Sequence, residues 1–457
     1  MQPHLSKRLK ISIIVVILVL ISLAVGSGFS KSRSAANSEV FDGLQLFAEV
    51  LNKIQANYVE EVQPKKLIYG AIRGMVSTLD PYSQFMDTDQ YEDLETDTKG
   101  EYGGLGLHII MKNNWLTVES PMEGTPAFKA GIKEKDRIVE IDDKSTEGIT
   151  IEQAAKKLRG PKGSKVKLLI EREGMKKPLA FTLTRDVIIL ESVTSKMFNG
   201  DMKIAYIRIK EFREKTGEDL GQTLRKLQKE GMQAIILDLR YNPGGLLKSS
   251  IEVSDYFIPA DKIVVSTKGR APGNDQEYRT DSSSDKYLNL PMVCLVNEGS
   301  ASAAEIVAGC LQDHKRAILI GPEGKRTYGK GSVQAVMELR NNTALRLTTA
   351  KYFTPSGRSI HGQGLKSDIE VPIPKDTEDS ILLAGKLGEL SVPKVTLTIN
   401  DDSTVKFDIS EKEKVEDVQL AEGIKILKIS KYFKTPGLVD LPPVSQSTAT
   451  TAHSKSN

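Results

Sequence analysis

The stretch from Met292 to Cys310 constrains the fold of this chain more than any other. Its first five residues, Met292-Val293-Cys294-Leu295-Val296, are all apolar and read as a short buried strand. Asn297-Glu298-Gly299 supplies a turn, and the small residues Ser300 to Ala304 continue into a helix. A strand that feeds directly into a helix commits this region to an α/β arrangement. It also presents a serine at the positive end of a helix, where backbone N–H groups have no intrahelical partner. Ser302 is therefore the candidate nucleophile. Ser302-Ala-Ala-Glu305 also has the spacing of a capping box, in which both side chains satisfy the first helical N–H groups. In isolation that cap is the commoner explanation, so the rest of the chain has to decide.

Similar signals surround this stretch, and residues from about 190 to 375 read as α/β. Ile204 to Ile209 is a strand, Gly217 to Glu230 a polar-faced helix, and Ala317 to Gly321 another strand. Ala234 to Arg240 is a buried strand that turns polar at its end and runs into Tyr241-Asn242-Pro243-Gly244-Gly245. Pro-Gly-Gly is ordinarily a plain turn. After a buried strand, however, Gly244 and Gly245 let backbone N–H groups approach a ligand closely, as an oxyanion hole requires.

A serine hydroxyl needs a group to accept its proton. Neither His314, in Asp313-His-Lys-Arg, nor His361, after a loop, has a triad context. A lysine serves if burial lowers its pKa from the reference of about 10.4. Lys330, between Gly329 and Gly331, is the candidate base, although a loop lysine is more often simply solvated. On a strand, positions 330, 332 and 334 share a face, so Gln334 is positioned to hold the amine. The loop Gly324-Lys-Arg-Thr-Tyr-Gly329-Lys330-Gly331 nearly spells a phosphate-binding loop. Gly331 stands where that loop needs a hydroxyl, and the residues after it alternate around an Asn341-Asn342 turn as a hairpin rather than a helix. Nucleotide binding is set aside on both counts.

At 457 residues the chain is long enough for several domains. Lys7, Arg8 and Lys10 precede the apolar run Ile11 to Val25. This is the pattern of an export signal or a short membrane anchor, with the basic flank inside and all that follows outside. Residues 40 to 95 read mostly as helix, with one helix from Pro64 to Leu79. From 96 to 186 the pattern changes to short strands and turns, with Gly103-Gly104-Leu105-Gly106-Leu107 opening a strand. Residues 376 to 440 hold a helix near 380–390, two polar strands and a helix from about Val415 to Tyr432, before a Ser/Thr-rich tail expected to be disordered. A net charge of +3 gives no basic field for nucleic acid. Cys294 and Cys310 sit in apolar surroundings, and the five histidines lack ligand spacing, so no metal and no cofactor is expected.

Two resemblances sharpen this reading. Residues 96–186 resemble a PDZ domain in the permuted form of bacterial proteases, on Gly104-Leu105-Gly106-Leu107, Gly124-Thr125-Pro126-Ala127, Ala130-Gly131 and Asp136-Arg137-Ile138. That resemblance implies binding of a peptide C-terminus, with the carboxylate held by the N–H groups of Leu105, Gly106 and Leu107. Asn297 to Glu305, Tyr328 to Gln334 and Asp238 to Gly245 resemble the three signature segments of the carboxy-terminal processing peptidases, also called tail-specific proteases. Leu79-Asp-Pro-Tyr-Ser83 and Leu347 to Gly357 match as well, and the likeness covers about 40 to 375 plus the last helix. The loop Gly321 to Tyr328 is a few residues longer than is usual there, a change that loops tolerate.

The family implies an α+β multidomain fold: a spiral ββα, crotonase-like peptidase core with an inserted PDZ domain and helical N- and C-terminal parts. It implies a serine endopeptidase in which Ser302 is the nucleophile, Lys330 the base and Gln334 the residue that orients the lysine. The N–H of Ala303 and of Gly244 or Gly245 would form the oxyanion hole. The expected segments are 1–35 (signal or anchor), 36–95 (helical), 96–186 (PDZ), 187–375 (peptidase core), 376–440 (C-terminal region) and 441–457 (tail). The expected partners are proteins or peptides with accessible C-termini, the membrane through the N-terminal segment, and a second copy of the chain. A non-catalytic PDZ scaffold for tailed or unfolded proteins is the competing reading.

Overall fold

The computed structural model describes residues 38–282, 285–373 and 417–433, together with the backbone of the strands Lys394–Ile399 and Val405–Ser410. The expected signal or anchor, the helix near 380–390 and the tail lie outside the described residues. Among the described residues no helix is long and apolar enough to cross a membrane.

The chain divides into two units, residues 1–85 and 86–457. The first holds helix 38–57 and helix Pro64–Ser77, with Pro64 at the start, where its missing N–H costs no intrahelical bond. That helix stops at Asp80-Pro81. The Asp80 carboxylate accepts from Tyr82 N and Ser83 N at 2.8 Å, and from Ser83 Oγ at 2.8 Å, which locks the turn.

The second unit is built on a six-stranded sheet in the order 193–198, 204–209, 234–238, 292–295, 318–322, 369–371. The first strand is antiparallel to its neighbour and the others are parallel. Alternation along each strand sorts the core into two layers. Ile207, Ile209, Ile235, Leu237, Cys294 and Leu319 face the helices Thr216–Lys229, Leu247–Asp255 and Ala303–Asp313. Ile204, Ile236, Val293, Leu295 and Ile320 face the opposite way and pack with Leu420, Ile424 and Leu427 of the C-terminal helix Val418–Phe433. With both faces covered, the central strand Met292–Leu295 is apolar and buried throughout, as the run Met292–Val296 suggests. Cys294 and Cys310 are buried free thiols. Burial pushes Cys310 up to about 12, which leaves it unreactive.

A second, antiparallel sheet carries the strands Ile263–Gly269, Gln276–Arg279, Ser332–Leu339 and Thr343–Phe353. The last two form the expected hairpin, turned by Asn341 and Asn342 with φ of 60° and 54°. The PDZ region is a sheet of Leu107–Lys112, Trp115–Pro121, Arg137–Ile141, Lys144–Ser145, Lys165–Glu171 and Leu179–Thr184. Helix Ile151–Leu158 packs against it, closed at its start by a Thr150/Gln153 capping box. Strands Glu101–Gly104 and Asp186–Ile189 pair at its two ends, so the chain leaves beside the point where it came in, as an insertion requires. The architecture is thus α+β and multidomain, with an inserted PDZ domain.

Candidate active site

The buried strand Met292–Leu295 delivers the chain to the turn Asn297–Ala301, and helix Ala303–Asp313 leaves it. Ser302 is the hinge, with φ 55° and ψ −116°. Such a left-handed, non-helical geometry costs a non-glycine residue about 1–3 kcal/mol and persists only where neighbours enforce it. The enforcing contacts are dense. Ser300 Oγ donates to Leu239 O at 2.8 Å, Ala301 N donates to Asn242 O at 2.9 Å, and Tyr241 N donates to Asn297 Oδ1 at 2.9 Å. The loop after strand Ala234–Asp238 is thereby stitched to the turn that carries Ser302.

Glu305 ties in the third segment. Its carboxylate is fully buried, with Oε2 accepting from Ser302 N and from Lys330 N, each at 2.9 Å. Oε1 accepts from Gly329 N at 2.8 Å and from the Thr327 hydroxyl. Burial raises the Glu305 carboxyl above its usual range, and these four donors oppose the rise. One oxygen therefore holds the backbones of both Ser302 and Lys330. Their two nitrogens can be no farther apart than the sum of those two bonds.

Lys330 is half-buried. Burial holds its ammonium below the ordinary lysine range, the Arg346 guanidinium adds to that effect, and Glu305 opposes it. Its carbonyl accepts from the Tyr352 hydroxyl. Gly329 and Gly331 permit close packing: a Cβ on Gly331 would meet His361 N at 2.5 Å. A strand follows Lys330 where a phosphate loop needs a helix.

Gln334 lies on the strand that follows Lys330. Its amide donates to Ser332 Oγ at 2.9 Å and Thr348 Oγ1 at 3.3 Å. The strand begins at Ser332, just after Lys330, and the register shift between Val333 and Gln334 places its extra residue, Thr349, on the partner strand, so positions 332 and 334 keep a common face.

Gly244 lies against the serine. A Cβ there would stand 2.7 Å from Ser302 Cβ and 3.0 Å from Ala303 N. The two glycines differ in one respect. Gly244 N donates to Asn242 Oδ1 at 2.8 Å, whereas the N–H groups of Gly245 and Ala303 donate to nothing among the described residues. In the PDZ region the N–H groups of Leu105 and Gly106 likewise have no acceptor among the described residues. Gly106 has φ 75° and packs so tightly on Thr125 that a Cβ would come within 2.3 Å of it.

Comparison with known proteins decides the class. The profile of peptidase family S41 matches residues 203–371, the span that contains all of the core segments just described. The chain is 40% identical over 391 residues to a carboxy-terminal-processing protease of Bartonella bacilliformis, covering 84% of this chain and 88% of that one. The chain belongs to the carboxy-terminal processing proteases of family S41. It is also 35% identical to the carboxy-terminal processing protease CtpA of Bacillus subtilis, over 75% of this chain and 71% of that one. A PDZ profile matches residues 117–172, and the profile of the activating protease CtpB N-terminal domain matches 24–90. Among solved structures, a photosystem II D1 C-terminal processing protease aligns over 72% of this chain and 92% of that one, with 28% identity and a TM-score of 0.41. Membership in the S41 proteases makes this chain a serine-type peptidase.

Within this S41 site, sequence reasoning found the segments but missed part of what joins them. Glu305 is visible in the sequence only as a capping-box partner. Its bonds to Gly329 and Lys330 join residues 24 and 25 positions apart, which no local pattern announces. Thr327, Asn242 and Asn297 sit in stretches that read as ordinary turns.

Proposed function

We propose that this protease cleaves peptide bonds with a Ser302–Lys330 dyad. The observation that carries the proposal is the shared Glu305 oxygen, which holds both backbones at one point while burial favours the neutral amine. Lys330 takes the Ser302 hydroxyl proton as Oγ bonds to the scissile carbonyl carbon. The developing oxyanion is received by the N–H groups of Ala303 and Gly245, while Gly244 keeps the approach to Ser302 open. Lys330 returns the proton to the leaving amine as the C–N bond breaks, which leaves an acyl-enzyme. A water deprotonated by Lys330 then hydrolyses the ester. Gln334 acts one step back, bracing Ser332 and Thr348 on the hairpin beside the lysine.

We further infer that substrates arrive by their C-termini. The loop Leu105–Leu107 takes the carboxylate, and the peptide adds as a strand between Leu107–Lys112 and helix Ile151–Leu158. The basic flank and apolar run at the N-terminus support export or membrane anchoring, with the peptidase outside the cytoplasm. The test is cleavage, followed by mass spectrometry, of an unstructured protein with an apolar C-terminus by the parent, Ser302→Ala and Lys330→Ala forms. Cleavage by the parent alone supports the dyad; cleavage by either variant at the parent's rate rejects it.

A further inference from the structure

The C-terminal helix lies far from the active-site segments in sequence, yet it meets the roots of two of them. Arg240 directly precedes the loop Tyr241–Gly245 and is only 4% exposed, and its guanidinium lies between two fully buried carboxylates. Asp238 accepts from its Nε and Nη2 at 2.6–3.1 Å. Asp417, just before the C-terminal helix, accepts from Nη1 at 2.8 Å and from Nη2 at 2.7 Å in a two-point fork. Asp417 also caps the helix, taking Leu420 N at 2.9 Å. Two residues on, Gln419 Nε2 donates to the carbonyls of Val296 and Ile320, each at 2.8 Å. Val296 is the last residue before the turn that carries Ser302.

Buried ionic networks of this kind are expensive, and an apolar contact would hold a helix to a sheet equally well. What the ionic contact adds is direction. The planar guanidinium, gripped on both sides, fixes the backbone of residue 240 and thus where the chain enters the loop of Asn242, Gly244 and Gly245. Tyr206 Oη adds a bond to Asp238 Oδ2 at 2.7 Å, so the carboxylate opposite Asp417 cannot swing to compensate.

We propose that Asp417 is a positioning residue that sets the place of the Gly245 N–H through Arg240. The proposal rests on the peptidase reading above, since that reading gives Gly245 its role. Asp417 touches neither substrate nor reacting atoms; it makes the C-terminal helix a part of the active site's frame.

Asp417→Asn tests this with little disturbance. Asparagine caps a helix as well as aspartate does, and the one-to-one Arg240–Asp238 pair is kept, so no buried charge is stranded. Only the two-point grip on Arg240 is lost. With a peptide substrate, kcat is expected to fall about tenfold to a hundredfold with KM within about twofold, because a misplaced group costs rate rather than binding. Amide hydrogen exchange on the full chain should quicken at residues 241–246 while residues 418–433 stay as protected as in the parent. Unchanged kcat and unchanged exchange at 241–246 would overturn the proposal. So would failure to fold, or faster exchange throughout the core, since either makes Asp417 a merely structural residue. If the parent itself cleaves nothing, the peptidase reading fails, and the exchange comparison still decides whether Asp417 governs the loop.

Discussion

Replacing Glu305 by glutamine keeps size and shape but changes the number of acceptors. Each carboxylate oxygen accepts two bonds, Oε2 from Ser302 N and Lys330 N, and Oε1 from Gly329 N and Thr327 Oγ1. A carboxamide has one oxygen and one NH₂. Whichever way it turns, two of the four donors face another donor. Hydrogen bonds to a charged group contribute about 1.5–3 kcal/mol each, so the local cost is about 3–6 kcal/mol. That is comparable to the whole stability of many domains, about 5–15 kcal/mol. The strain is relieved most easily where opening costs least, which is the loop Thr327–Gly331 rather than helix Ala303–Asp313. Glu305→Gln should therefore fold, with a lowered Tm, but lose the Lys330 segment from its place. We expect kcat/KM to fall by at least about a hundredfold, the scale for misplaced catalytic groups. Circular dichroism and peptide cleavage on the same preparation check this. A variant with parental kcat/KM would refute the argument that one carboxylate assembles the site.

Gly244→Ala should abolish cleavage and lower Tm, since the new Cβ would stand 2.7 Å from Ser302 Cβ and 2.9 Å from Ala301 O and φ is 104°; loss of acyl-enzyme in a burst assay and a thermal melt check it. Lys330 is active when neutral, so kcat/KM should rise with pH through its depressed pKa; Arg346→Met removes a cation that depresses it, and the acidic limb of the profile should move to higher pH. A limb that stays or moves down would contradict this. Arg240→Met strands Asp238 and Asp417 as buried anions, and should cost about 3–5 kcal/mol in denaturant unfolding. Gly106→Ala forces a Cβ onto Thr125, so KM should rise for a peptide with a free C-terminus but not for its amidated form.

The parts of this fold that follow from short-range pattern were readable in the sequence. The run Met292–Val296, strand Ile204–Ile209, the buried strand from Ala234 and the Asn341-Asn342 hairpin each follow from local periodicity or turn chemistry. Lys330 was separable from a phosphate-loop lysine because Gly331 and the alternating residues after it forbid the required helix. The contacts that close the site were not readable. The bonds of Gln334 to Ser332 and Thr348 depend on the register of the partner strand, which no local pattern announces. The Asp417–Arg240 fork joins residues 177 positions apart, and Glu305 gathers donors from two segments. Polar residues in such roles look like turn, cap or surface residues until the fold brings their partners to them.

The central claim, that Ser302 is the nucleophile and Lys330 its base, is tested most directly by trapping the acyl-enzyme. The parent, Ser302→Ala and Lys330→Ala proteins are each incubated with a peptide ester substrate, quenched in acid within the first turnover, and mapped by mass spectrometry. The account predicts an acyl group on Ser302 in the parent and none in either variant. An acyl group on any other residue, or undiminished acylation of Ser302 without Lys330, would contradict it.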